Sequence, residues 1–190
     1  PSWTGQEIPV PRSVAGEVGE MRGVAGDQFA GGAETDAVAR EFTGRYPANT
    51  YTMSEALEQV ARQVEADAPV PTDDRIVIER EGRSIVLNAG LGHRANEAIG
   101  RVCSSLIGQQ TGSSVGMEID PYRIELEVPG GISAEDVADT LQTTDPDHVG
   151  PIIELTIKHS DTFKFRLSQV AAKFGALKRW DGSARLSNDR

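Results

Sequence analysis

Apolar and polar positions alternate at a helical period over the first third of the chain, at a strand period through the middle, and at a helical period again towards the end. Val14, Val18 and Met21 recur at helical spacing, although Gly16, Gly19 and Gly23 weaken that helix, and the glycine-bounded stretch 26–32 reads as a loop. A second helix is predicted over 34–45, ending ahead of Pro47 because the residue before a proline disfavours helical backbone. A third starts at Thr52, with Glu55 placed to complete a capping box, and carries Leu57, Val60, Ala61 and Val64 on one face. The run ADAPVPTDD at 66–74 is a Pro-rich connector. It divides the chain into a helical extension over 1–66 and a second domain over 67–190.

Beyond the connector the period shortens to two. RIVIER and RSIVLN flank Glu81-Gly82 and predict a hairpin pairing 75–80 with 83–88. A helix follows over 93–110 and stops at Gly112, a natural left-handed cap. VGMEI and YRIELEV then alternate around Asp120-Pro121, a second hairpin of 115–119 with 122–128. Val115, Met117 and Ile119 fall on one face, and so do Tyr122, Ile124, Leu126 and Val128. Three helices close the chain, over 133–142 with Ser133 and Asp136 as caps, over 148–158, and over 162–179. In the last, Phe163, Leu167, Val170, Phe174 and Leu177 form a continuous apolar stripe. This order predicts an α+β fold: an antiparallel sheet built from two β-hairpins, flanked by helices, with a helical N-terminal extension.

The length of 190 residues suits one domain with such an extension. No apolar run reaches the eighteen or so residues of a membrane span, and the N-terminus has no secretory pattern, so no membrane partner is expected. A chain opening on Pro1 reads as a fragment of something longer. The one cysteine, Cys103, lies at helical spacing with Ile99 and Leu106 and reads as core, which suits a reducing, cytoplasmic setting.

Charge changes the picture. The net charge is −10, from 29 acids and 19 bases, and only four of the bases are lysines. An acidic, lysine-poor chain looks adapted to high salt; an ordinary acidic cytosolic protein is the plainer reading. Lys158, Lys164, Lys173 and Lys178 fall in one stretch with Arg166 and Arg179. Residues 158–179 therefore hold six bases against one acid, Asp161, a net of +5 that leaves −15 for the rest. Such asymmetry points to a polyanionic partner.

The motifs weigh against an autonomous enzyme. IVLNAGLGHRA places Gly90, Gly92 and Ala95 in a G-x-G-x-x-A pattern that opens a helix, with Glu118 and Asp120 downstream as ribose-binding acids. A dinucleotide fold needs further parallel strand–helix units, however, and the chain turns straight into a hairpin, so a tight strand-to-helix turn explains the glycines. His93, His148 and His159 lack metal-like spacing, and Asp73-Asp74 reads as solvated surface. Neither a G-x-S-x-G elbow nor a G-x-x-x-x-G-K-[ST] loop is present. No catalytic, cofactor or metal residue is assigned. The candidate nucleic-acid contacts are Lys158, Lys164, Arg166, Lys173, Lys178 and Arg179 for phosphates, with Trp180, or Phe165, for base stacking. The competing reading is a packing helix, with Lys178 and Arg179 answering the dipole at its C-terminus and Asp161 at its N-terminus.

Four blocks carry a family likeness: DRIVIEREGRSIVLNAGLGHRANEAIGR, TGSSVGMEIDPYRIELEVPGG, DPDHV and SDTFKFRLSQVAAKFGAL. In order and spacing they resemble the DEAD/H-associated region of large helicase-related (Lhr-type) ATP-dependent helicases, over about Asp74 to Leu177. WTGQEIPVPRSVAGEVGEMR resembles the linker and helix that enter that region, and 34–66 matches in kind only. The resemblance implies a superfamily 2 motor, associated with DNA repair, whose ATP and Mg requirements belong to domains N-terminal to this segment. It also implies an accessory role here: clamping or guiding single-stranded nucleic acid, DNA first, and packing on the motor domains of the same parent chain. No catalytic residue carries over. Two other classes stay open: a stand-alone protein-interaction module docking through the C-terminal helix, and a nucleotide-binding enzyme using the turn from Gly90 to Ala95.

Overall fold

A computed structural model describes residues 8–176. The chain divides into two compact units, one ending at Thr144 and the other starting at Asp145.

The first unit opens with α1, Arg12–Ala30, which stays helical through 26–30 of the loop expected at 26–32 and turns only at Gly31 and Gly32. Its buried face is not the valine stripe: Val14 is 50% exposed, and the buried residues are Ala15, Gly19, Ala25 and Gly26. Small side chains let other backbone come close. A Cβ on Gly19 would sit 2.5 Å from the Asp73 nitrogen, and one on Gly26 would touch Val70 and Val60. Tertiary contact thus offsets the poor helix propensity of glycine.

Helix α2, Thr35–Thr43, buries Val38, Ala39 and Phe42. Helix α3, Thr50–Glu65, is capped by Asn49, whose side chain accepts from the Thr52 nitrogen at 2.8 Å. The cap is therefore Asn49, and Thr52 lies inside the helix. Met53, Leu57 and Val60 complete a helical core that also takes in Val70 from the connector.

The four strands are β1, Val77–Glu81; β2, Ser84–Asn88; β3, Gly116–Ile119; and β4, Arg123–Glu127. They form one sheet in the order β1-β2-β4-β3, antiparallel throughout. The two expected hairpins are present, and β2 joins them by pairing Ile85 with Leu126 and Leu87 with Ile124. In the first hairpin Glu81 faces Ser84, so the two-residue turn is Gly82-Arg83, one residue later than expected. Gly82 has φ +59°, the left-handed value that the first central position of a tight hairpin turn favours.

Helix α4, His93–Thr111, ends at Gly112 with φ +66°, and α5, Ala134–Thr143, starts with a reciprocal box between Ser133 and Asp136. Both ends follow the sequence reading. The sheet core gathers Ile85, Leu87, Ile124 and Leu126 with Cys103 and Ile107 of α4 and Val137 of α5, each at most 1% exposed. At roughly 1.5–3 kcal/mol for each large aliphatic side chain buried, this core is the main stabilising term of the α+β layer.

Among the described residues the second unit is a helix pair. Helix α6, Pro146–His159, is capped by Asp145 with Pro146 at its first position, so it begins ahead of the expected His148. Helix α7, Asp161–Lys173, is capped by the Ser160 side chain. It ends well short of residue 179, because Gly175 adopts φ +71° and stops it.

Candidate nucleic-acid interface

Helix α7 carries three of the six bases that the composition singled out, Lys164, Arg166 and Lys173. Successive residues lie about 100° apart around a helix, which puts Arg166 and Lys173 together on one side of the apolar stripe and Lys164 on the other. All three are exposed. Among the described residues Arg166 and Lys173 have no carboxylate partner. Lys158, on α6, is differently placed: its Nζ lies 2.6 Å from Glu154 one turn earlier. That hydrogen bond holds the Glu154 carboxyl below its usual range. Lys178, Arg179 and Trp180 lie outside the described residues.

The stripe between these bases is not buried. Leu167 is 54% exposed, Val170 50% and Phe174 85%, and Phe165 on the opposite side is 55% exposed. The pair thus presents cations flanking an apolar face, a surface able to take phosphates and bases together.

The glycine turn before α4 is built differently from a phosphate cradle. Gly92 has φ +81°, and a Cβ there would lie 2.8–2.9 Å from the backbone of Val10, Pro11 and Arg12. The His93 nitrogen donates to the Val10 carbonyl, and the Gly92 nitrogen to the Pro121 carbonyl. The chain's own N-terminal segment fills the space a pyrophosphate would need, so the residues from Gly90 to Ala95 do not fit a dinucleotide. The all-antiparallel sheet removes the remaining support for that reading.

Cys103 is fully buried in the sheet core, and burial pushes its thiol up to about 11, which makes it an inert core residue. Among the described residues no group of three or more His, Cys, Asp or Glu could hold a metal ion. No helix there is long and apolar enough to cross a membrane.

Two polar residues escaped the sequence reading. Asn96 is fully buried, and its Nδ2 donates to the carbonyls of Ala89 and Asp120, each at 2.9 Å, tying α4 to both hairpins. Arg22 is half-buried on α1 and donates to Gln63 at 3.2 Å. A signal existed for Arg22, since it falls at helical spacing with Ala15, Gly19 and Gly26 on the packed side of α1.

Known proteins place this arrangement. Residues 70–190 match the DEAD/H associated family. The chain belongs to that family. The ATP-dependent helicase Lhr-Core of Sulfolobus acidocaldarius is 23% identical over 189 residues, covering 96% of the chain. The structure of the Mycobacterium smegmatis helicase Lhr, bound to ssDNA and AMP-PNP, superposes on 91% of the chain with a TM-score of 0.69 at 18% identity. The DEAD/H associated chain spans 22% of the length of each. It is an Lhr-type helicase region, as the four sequence blocks implied. The matched region is a helicase-associated domain.

Proposed function

We propose that this chain is the accessory, non-motor part of an Lhr-type superfamily 2 ATP-dependent DNA helicase, which guides or clamps a single strand and packs on the motor domains. The observation that carries this is the placement of Arg166 and Lys173 on one exposed side of α7, beside an apolar stripe that the described residues leave uncovered. The likeness to a helicase solved with ssDNA supports the choice of ligand. ATP and Mg, on this reading, serve motor domains of the parent, since the glycine turn here is filled by the chain itself. A role in DNA repair, a cytoplasmic setting and a high-salt milieu complete the proposal; the net charge of −10 fits the last.

The test is a titration of labelled single-stranded DNA at several salt concentrations, with the chain and its lysine variants. Binding whose salt dependence weakens when α7 loses its bases supports the reading. Binding indifferent to those bases, or none at low salt, rejects it.

The exposed stripe also favours a second reading, a protein-interaction module docking through α7. Loss of partner capture without any change in strand affinity on Leu167→Asp would select it.

A further inference from the structure

A polar cavity of about 310 Å³ lies inside the first unit, between α1, α3, the connector and the strand ends. Arg22 enters it from α1, and Gln59 and Gln63 from α3; Thr72, Asn88 and Tyr122 line the far side. The carboxylates at its wall are already engaged. Glu79 accepts from the Asn88 amide at 2.8 Å, and Asp120 holds Arg123 at 2.9 Å.

Arg22 is engaged only once. Its Nη2 donates to Gln63, while its Nε is buried without any partner. A guanidinium offers five N–H donors, so most of its capacity is unused. Arg45, Arg62, Arg101 and Arg123 each hold a carboxylate, and Arg22 has none among the described residues. Burial lowers its pKa, yet a guanidinium stays protonated in proteins, so Arg22 is a half-buried cation in direct contact with no carboxylate, on a wall whose other charges are the Arg123–Asp120 pair and Glu79. A desolvated, unpaired charge is unfavourable unless an anion completes it.

We propose that this cavity binds a phosphate group, with Arg22 as its charged ligand and the amides of Gln59 and Gln63 with the Tyr122 hydroxyl as neutral donors. The flat fork of a guanidinium matches two phosphate oxygens at once, and the amide and hydroxyl donors around it suit the remaining oxygens. A volume several times the roughly 30 Å³ share of one water admits a phosphate with an ester substituent. Two sources supply that chemistry: a phosphodiester of a strand, or free phosphate. Only the first rests on the strand-binding function proposed above.

The experiment follows thermal unfolding of the full 190-residue chain as inorganic phosphate replaces chloride at constant ionic strength, beside strand titrations of the same proteins. The chain should gain roughly 3–6 °C at ten times the dissociation constant. Arg22→Gln should lose that saturable gain while melting in chloride no lower than the parent, since it removes a desolvated charge. Arg22→Lys should keep part of the gain, and Arg62→Gln, an exposed control on α3, all of it. Strand affinity lowered at least threefold by Arg22→Gln identifies the strand backbone as the source. Unchanged strand affinity with a lost phosphate response identifies free phosphate. A parent that responds to phosphate but binds no strand rejects the strand-guiding function and leaves the phosphate site standing. Equal phosphate responses in the parent and Arg22→Gln, or none in either, overturn the site.

Discussion

Val10 and His93, 83 positions apart, bind each other reciprocally. The Val10 nitrogen donates to His93 Nδ1 at 3.0 Å, and the His93 nitrogen donates back to the Val10 carbonyl at 3.1 Å. Through this pair the segment ahead of α1 becomes the lid of the glycine turn. His93→Ala removes the acceptor and should cost about 0.5–1.5 kcal/mol, with faster amide exchange at Val10. Chemical denaturation and hydrogen exchange check it. Unchanged protection at Val10 would show the contact to be dispensable.

Asn96 holds two carbonyls on one buried amide, that of Ala89 fully buried and that of Asp120 partly. Asn96→Ala should destabilise by about 1–3 kcal/mol, because two hydrogen bonds that tie α4 to the hairpins are lost, while the Ala89 carbonyl keeps its bond from the Leu91 nitrogen. Asn96→Asp should be no better, since it offers no second donor and buries a charge. Urea unfolding midpoints of the two variants measure this.

Two glycines on α1 should respond in opposite directions. At Gly16 an added Cβ meets nothing within 4 Å, so Gly16→Ala should stabilise by about 0.5–1 kcal/mol. At Gly19 it would lie 2.5 Å from backbone, so Gly19→Ala should destabilise by about 1–3 kcal/mol. Paired melting curves decide the matter. A neutral Gly19→Ala would mean that α1 and the connector are free to separate.

Acid should expose two surface carboxylates. Asp136 is held below its usual range by the Ser133 backbone N–H and then the Ser133 hydroxyl. Glu17 is held low first by the Tyr46 hydroxyl, with desolvation opposing and Arg45 then adding to the lowering. A folded-state pKa below the unfolded value, about 4, gives stability that is present above that value and lost as pH falls through the folded one. Asp136→Asn and Glu17→Gln should therefore lower the melting temperature at pH 6–7 and converge on the parent at about pH 2–3. A constant offset across that range would contradict the assignment.

Salt dependence separates charge from stacking at the helix pair. Each phosphate neutralised on a single strand steepens the slope of log affinity on log salt by about 0.7, so Lys164→Ala with Lys173→Ala should flatten it by roughly 1.4. Lys158→Ala should matter less, because Glu154 already occupies that ammonium. Trp180→Ala should lower affinity by about 1–3 kcal/mol with little change in slope. Slopes identical in all three variants would leave α7 as a packing helix.

Much of this was legible in the chain itself because the signals are local. The Ser133 and Asp136 box, the stop at Gly112 and the alternation of Ile124, Leu126 and Val128 each need only residues a few positions apart, and each stands in the structure as read. The basic patch was equally visible as composition.

What the tertiary structure decided depends on segments far apart in sequence. Glycines that disfavour a helix locally made α1 long, because Asp73 and Val70 reward close approach. A motif with the look of a phosphate loop became a turn closed by Val10, Pro11 and Arg12. Period 3.6 announces an apolar stripe on α7 without saying whether anything covers it, and within this chain nothing described does. Arg22 looks like any surface arginine until two helices and a sheet end enclose it. Local propensity is set by a residue and its near neighbours, whereas burial and the pairing of charges are set by whichever distant segment arrives there.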